Sequence, residues 1–122
     1  MTEALRQHQQ LCDEIHACVL DENRFLRQHS RSPDEALLQR KRDLLQRLDA
    51  SLVALRALPA GGRDAAEREV LELTRGRILQ ILQLDRENEQ LLLRASLAGG
   101  RAAVATPPGS TAMLQKIYSR CA

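Results

Sequence analysis

Aromatic side chains are almost absent from this sequence. Phe25 and Tyr118 make up 2% of its 122 residues, and there is no Trp. Val, Ile and Thr are also few, and strands favour these β-branched residues together with aromatics. The chain instead holds 22 Leu among many Ala, Arg, Glu and Gln residues, all of which are strong helix formers. The composition therefore predicts an all-α protein.

Long apolar runs and paired cysteines are missing as well. No stretch approaches the roughly 18 apolar residues of a membrane span, and the N-terminus lacks an apolar signal core. Cys12, Cys18 and Cys121 form an odd set, which a reduced compartment explains better than a disulfide framework does. We expect a cytoplasmic protein without stable membrane insertion.

Catalytic and nucleic-acid signatures are lacking too. There is no phosphate-binding Gly loop, no Gly-x-Ser-x-Gly elbow and no Cys-x-x-Cys pair, so neither an enzyme nor a cofactor is predicted. The net charge is only +2, and the densest basic run, Gln39 to Arg42, is followed at once by Asp43. Nucleic-acid binders normally gather basic residues on one face, so nucleic acid is not an expected partner.

His8, Cys12 and His16 are the residues closest to a metal-binding pattern. Their spacing of four places them on one side of a helix, and imidazole and thiolate are zinc and copper ligands. Adjacent members lie roughly 6 Å apart, however, so one ion would struggle to reach all three. No fourth ligand is evident, and we predict no metal site.

Apolar residues repeat every seven positions along two segments, and a third has a polar stripe spaced by threes and fours between Gly61-Gly62 and Gly99-Gly100. These patterns predict helices over about 2–30, 32–58 and 63–98, packed as an antiparallel three-helix bundle with a long third helix. The first row is Leu5, Cys12, Val19 and Leu26; the second is Leu38, Leu45 and Leu52. Before the second helix, Ser32 is a predicted cap, with Pro33 at the first helical position and Glu35 completing a capping box.

The remaining chain has a different character. Residues 1–98 form the predicted bundle, and 99–111, rich in Ala, Gly, Pro, Ser and Thr, are predicted to be a flexible linker. Residues 112–122 hold a short amphipathic segment that is too short to be a stable helix alone. It must either dock on the bundle or wait for a partner.

The third predicted helix carries more apolar surface than two neighbours can cover. Its polar stripe spans only about a third of the circumference, and a surface helix needs an apolar stripe a little over about 100° wide. The surplus favours either a foreign helix bound in a groove or self-association. Asp85 and Asn88 interrupt the apolar arc. We expect them to be exposed to solvent; the alternative is that they bond a partner's backbone or fix the helix register.

Three passages resemble the FlgN family of flagellar export chaperones. Ile78 to Leu93 is similar to the family's third-helix pattern, in which an Asn precedes paired Leu residues. Leu114 to Tyr118 resembles the family's C-terminal segment with its Tyr, although Ser119-Arg120-Cys121 replaces the usual Gly. The Leu-Leu-x-x-Lys passage from Leu37 to Lys41 fits as well.

This resemblance implies a chaperone for the hook–filament junction proteins. It would bind the amphipathic C-terminal helix of its cargo, prevent premature assembly and deliver the cargo to an export-gate component, as a monomer or a homodimer. The alternative is a structural or scaffolding coiled-coil protein that self-associates through the surplus apolar surface. The partner-binding residues expected from the helix pattern and the resemblance are Leu79, Leu82, Asn88, Leu91, Leu92, Leu93, Met113, Leu114, Ile117 and Tyr118.

Overall fold

The structure is a computed structural model that describes residues 2–58, 63–98 and 110–121, with only the backbone at 110–113, 120 and 121. It contains four helices: α1 (Glu3–His29), α2 (Glu35–Arg56), α3 (Ala65–Ala98) and α4 (Ser110–Cys121). No strand occurs within the described ranges, and the predicted all-α class is confirmed. Most of the predicted linker, residues 99–109, lies outside the described residues. Its last two residues, 110 and 111, belong to α4 and not to a linker.

Both ends of α1 are capped, the first by Thr2 and the last by Ser30. The Thr2 hydroxyl accepts a hydrogen bond from the Leu5 backbone N–H at 3.3 Å. Ser30 ends the helix in the left-handed conformation, at φ 50°, and its N–H donates to the Leu26 carbonyl at 3.0 Å. Such caps satisfy backbone groups that the helix itself leaves unpaired.

The predicted cap of α2 was wrong by two residues. Asp34 is the N-cap, and its carboxylate accepts the Leu37 N–H at 2.8 Å, while the Ser32 hydroxyl bonds the Pro33 carbonyl. Asp and Ser are equally good caps, but a carboxylate also gains from the positive end of the helix dipole. Pro33 is buried just ahead of the cap.

α3 is the longest described helix. Asp64 precedes it and accepts the Glu67 N–H at 2.8 Å. Its 34 residues correspond to a length of about 51 Å, against about 18 Å for the 12 residues of α4. None of the described helices is both long enough and apolar enough to cross a membrane.

α1 packs against both α2 and α3, and so does α4. The backbones of α2 and α3 hardly approach each other within the described residues. Glu14 pairs with Arg47 at 3.6 Å and Glu22 with Lys41 at 2.9 Å, so α1 and α2 run in opposite directions.

The core follows the seven-residue rows. Leu5, Cys12, Val19 and Leu26 are all buried, as the first row predicts. In α2 the buried residues extend beyond the predicted row, and Leu38 is only half-buried. They are Lys41, Leu44, Leu45, Leu48, Leu52 and Leu55. Each fully buried Leu contributes about 1.5–3 kcal/mol to stability relative to an exposed one. Because these leucines come from different helices, their burial holds the helices against one another.

Candidate helix-binding site

The C-terminal helix α4 is docked on the rest of the fold. Leu114 and Ile117 are 0% and 1% exposed and belong to the same hydrophobic core as Leu48 and Ile78. Tyr118 is half-buried and packs against that core. These three positions, i, i+3 and i+4, form one face of a helix. α4 is therefore an amphipathic helix that turns these apolar side chains toward the core.

The space that α4 occupies lies between α2 and α3, and we call it the α4 groove. α4 contacts both of these helices, which otherwise stand apart. α2 and α3 both contribute leucines and isoleucines to the hydrophobic core that α4 joins. The buried core residues on these two helices are Leu44, Leu45, Leu48, Leu52, Leu55, Ile78, Ile81 and Leu82.

Beside the groove, α3 exposes a row of leucines. Leu79, Leu93 and Leu97 are 37%, 59% and 71% exposed, and at 100° per residue they lie within about 40° of one another. They neighbour buried Leu82 and lie opposite Arg77, whose guanidinium faces α1. Since α1 and α4 are the helices packed on α3, this leucine stripe borders the α4 side. These leucines remain exposed with α4 in place.

One cation lies within the leucine stripe. Arg86 is seven residues from both Leu79 and Leu93, is exposed, and forms no ion pair with any residue that the structure describes. Two nearby arginines of α3 do have partners: Arg75 pairs with Glu72 at 2.8 Å, and Arg77 pairs with α1. Arg86 is thus available to a carboxylate from outside.

A buried polar cluster joins α1, α2 and α3. Lys41 donates to Glu22 at 2.9 Å and also to Asp85, and the three side chains are at most 9% exposed. Burial disfavours the charged ammonium, but the carboxylates of Asp85 and Glu22 outweigh that effect and raise the pKa of Lys41. A basic side chain from the run Gln39 to Arg42 is therefore committed to the interior.

Asn88 extends the polar cluster. Its amide donates to the Val19 carbonyl at 3.1 Å and to Glu22 at 3.0 Å, and its oxygen accepts from Asn23 at 2.8 Å. Asp85 is 0% and Asn88 is 2% exposed, so the expected solvent exposure of both residues was wrong. The reason is that α1 and α2 supply matching polar partners inside the core. These bonds fix how α3 sits along α1.

A second polar contact lies at the other end of α1. The two ring nitrogens of buried His8 face the Ser51 hydroxyl at 3.3 Å and the Cys12 thiol at 3.8 Å. Burial lowers the pKa of His8. His16 faces Arg77 instead. Among the residues that the structure describes, no three metal-ligating side chains come together.

The predicted partner-binding residues divide by exposure. Leu82, Asn88, Leu92, Leu114 and Ile117 are buried within the chain. The exposed members are Leu79 and Leu93; Leu91 and Tyr118 are half-buried; and the side chain of Met113 lies outside the described residues. Their role in binding a partner stays a prediction.

Sequence reasoning missed several residues of this region. The binding residues expected from sequence did not include Leu97 or Arg86, although both fall on the leucine stripe by helical spacing alone. Sequence reasoning also missed Lys41 as the partner of Asp85, and Glu22 as the partner of Lys41 and Asn88. No signal along one helix could have revealed that these residues meet across three helices.

No family model, curated protein or solved structure matches this chain. The groove, the leucine stripe and the polar cluster are therefore the features from which a function can be inferred.

Proposed function

We propose that this protein is a FlgN-like cytoplasmic chaperone for flagellar export. It binds the amphipathic C-terminal helix of the hook–filament junction proteins, prevents their premature assembly and delivers them to the export gate. We further propose that residues 1–98 act as an antiparallel three-helix bundle from which the docked C-terminal helix α4 can detach. The observation that carries the proposal is the exposed leucine stripe of α3 beside a groove that already accepts an amphipathic helix.

The leucine stripe supports a helical partner on energetic grounds. Leu79, Leu93 and Leu97 are exposed by between 37% and 71%. Covering them would contribute about 3–5 kcal/mol, taking about 1.5–3 kcal/mol for each fully buried Leu. A row of leucines beside a groove between helices suits a partner helix that uses i, i+3, i+4 and i+7 anchors. A flat or irregular partner surface would cover fewer of these leucines.

The polar cluster supports a preformed site. Asp85 and Asn88 bond α3 to α2 and α1 through residues outside α4, and we expect these bonds to keep the three helices in register when α4 leaves. Buried ionic groups are best attested as register-setting devices in helical proteins. A groove that needs little rearrangement costs less to fill, which favours binding.

Arg86 indicates the charge of the partner. It is flanked along the stripe by Leu79 and Leu93 and has no carboxylate among the described residues. A partner helix lying on the stripe would place a side chain near it, and an acidic residue there would be favourable at an exposed site by up to about 1 kcal/mol. We therefore propose an amphipathic cargo helix with an acidic residue between its apolar anchors.

Titration calorimetry with purified hook–filament junction proteins tests this function. We expect one cargo molecule per chain, and we expect Leu93→Asp and Leu97→Asp each to weaken binding about tenfold or more, because each puts a charge into an apolar contact. Both positions are exposed, so the fold should persist. Val53→Asp is the matched control, since Val53 is 59% exposed on α2.

Two results would contradict the proposal. One is the absence of binding to any junction protein; the other is binding that Leu93→Asp and Leu97→Asp leave unchanged. Self-association through the same stripe is the competing function. It predicts a dimer in light scattering that persists on dilution, is broken by Leu97→Asp, and excludes added cargo.

A further inference from the structure

We infer that α4 is a built-in substitute for the partner helix, and that the partner displaces it from the α4 groove. This inference rests on the proposed function, because it concerns how the same site is regulated. The partner helix then shares the apolar spacing of α4: a large aliphatic residue, another three positions later, and an aromatic or aliphatic residue next to the second.

The position of α4 is the first reason. It lies between α2 and α3, whose backbones hardly approach each other within the described residues, so its departure would open an apolar groove rather than a closed surface. Leu114 and Ile117 would leave behind a place for two aliphatic side chains at a spacing of three. Any helix that presents the same pair at this spacing fits the same place.

The size of α4 is the second reason. It has 12 residues, and helices shorter than about 12–15 residues are marginal in water without tertiary contacts. Among the α4 side chains that the structure describes, two are fully buried and Tyr118 is half-buried. α1 and α2, by comparison, have 27 and 22 residues. α4 is therefore, by its length, the helix that we expect to be released most readily.

The uncovered length of α3 is the third reason. Leu93 and Leu97 lie on the same side of α3 as the groove and remain exposed with α4 in place. A partner that reaches from the level of Leu79 to that of Leu97 needs about 18 residues, or about 27 Å of helix. Such a helix covers the groove and the leucine stripe together. It has an advantage over α4 that comes from length, not from a different kind of contact.

The test uses the full chain and a fluorescent peptide with the sequence of residues 110–122, in which Cys121→Ser prevents disulfide exchange. Leu114→Asp/Ile117→Asp is introduced into the chain to undock its own α4, and Gln115→Asp is the matched control because Gln115 is exposed on the same helix. Binding is followed by fluorescence anisotropy. If α4 is seated in nine of ten wild-type molecules, the double variant should bind the peptide about tenfold more tightly than the wild type or the control. Equal binding by all three chains, or none by the double variant, would overturn the inference.

Hydrogen exchange on the wild-type chain gives an independent answer if the double variant fails to fold. We expect the α4 amides of residues 114–119 to exchange at least about a hundredfold faster than the buried amides around Ile81, since α4 opens alone. Exchange of α4 only together with α1 and α3 would overturn the inference, because the groove would then never be free in the folded protein.

A final arm separates this inference from the proposed function. If the peptide binds the double variant but no junction protein binds any form of the chain, displacement of α4 is supported and the proposed flagellar cargo is wrong. If a junction protein binds while the exchange rate of α4 stays unchanged, the chaperone function stands and displacement of α4 is wrong.

Discussion

Removing the Lys41 ammonium should be among the most destabilising single changes in this protein. In Lys41→Met, the stem of the side chain keeps its packing, but Glu22 and Asp85 lose their shared cation. These carboxylates are 7% and 0% exposed, so water cannot replace the lost interaction without opening the core. Breaking a buried ion pair by removing one partner typically costs about 3–5 kcal/mol. That is a large share of the roughly 5–15 kcal/mol by which domains are stable.

Urea unfolding followed by circular dichroism at 222 nm measures this effect. With a slope of about 2 kcal/mol/M, the loss corresponds to a fall in the midpoint of about 2 M. Arg42→Met is the matched control, because Arg42 lies next in sequence but forms an exposed pair with Glu35. Exposed pairs contribute only about 0–1 kcal/mol. A Lys41→Met chain that unfolds within about 1 kcal/mol of the wild type would refute the buried cluster.

Three further predictions concern other contacts. Burial lowers the pKa of His8 below its ordinary 6.5, so the unfolded chain binds a proton at a higher pH than the folded chain does. The wild type should therefore lose stability as the pH falls below 6.5, and His8→Gln should lose less. Urea midpoints measured on both sides of that pH test this. Asp34→Ala should cost about 1 kcal/mol in the same assay by removing the α2 cap, whereas Ser32→Ala should cost almost nothing; the reverse order would favour the cap predicted from sequence. Arg86→Glu should weaken cargo binding in calorimetry more than Arg24→Glu, a control on α1 whose side chain is 68% exposed. Equal effects would contradict an acidic cargo residue at Arg86.

The helices could be predicted from sequence because each depends on its own periodicity. The row Leu5, Cys12, Val19 and Leu26 repeats by sevens, and every member is buried. The start of α2 was less certain for a local reason. Ser32 and Asp34 lie two residues apart, and both residue types are good N-caps. Residue preference alone therefore does not decide which of them caps α2.

The candidate site was harder to predict because it depends on contacts between helices. On an isolated helix, the polar side chains of Asp85 and Asn88 indicate surface residues. Their burial is favourable only because Lys41 of α2 bonds Asp85 and Glu22 of α1 bonds Asn88. The docking of α4 is similar. Its amphipathic pattern shows that it needs a surface, but the pattern does not identify which surface.

The most direct test of the helix-binding site is methyl NMR of the full chain titrated with the C-terminal helix of a hook–filament junction protein. We predict that the methyl signals of Leu93 and Leu97 shift as the stripe is covered, and that those of Leu114 and Ile117 move to solvent-exposed values as α4 leaves. Cargo binding that leaves Leu93 and Leu97 unshifted would contradict the proposed site, because the partner would then lie on another surface.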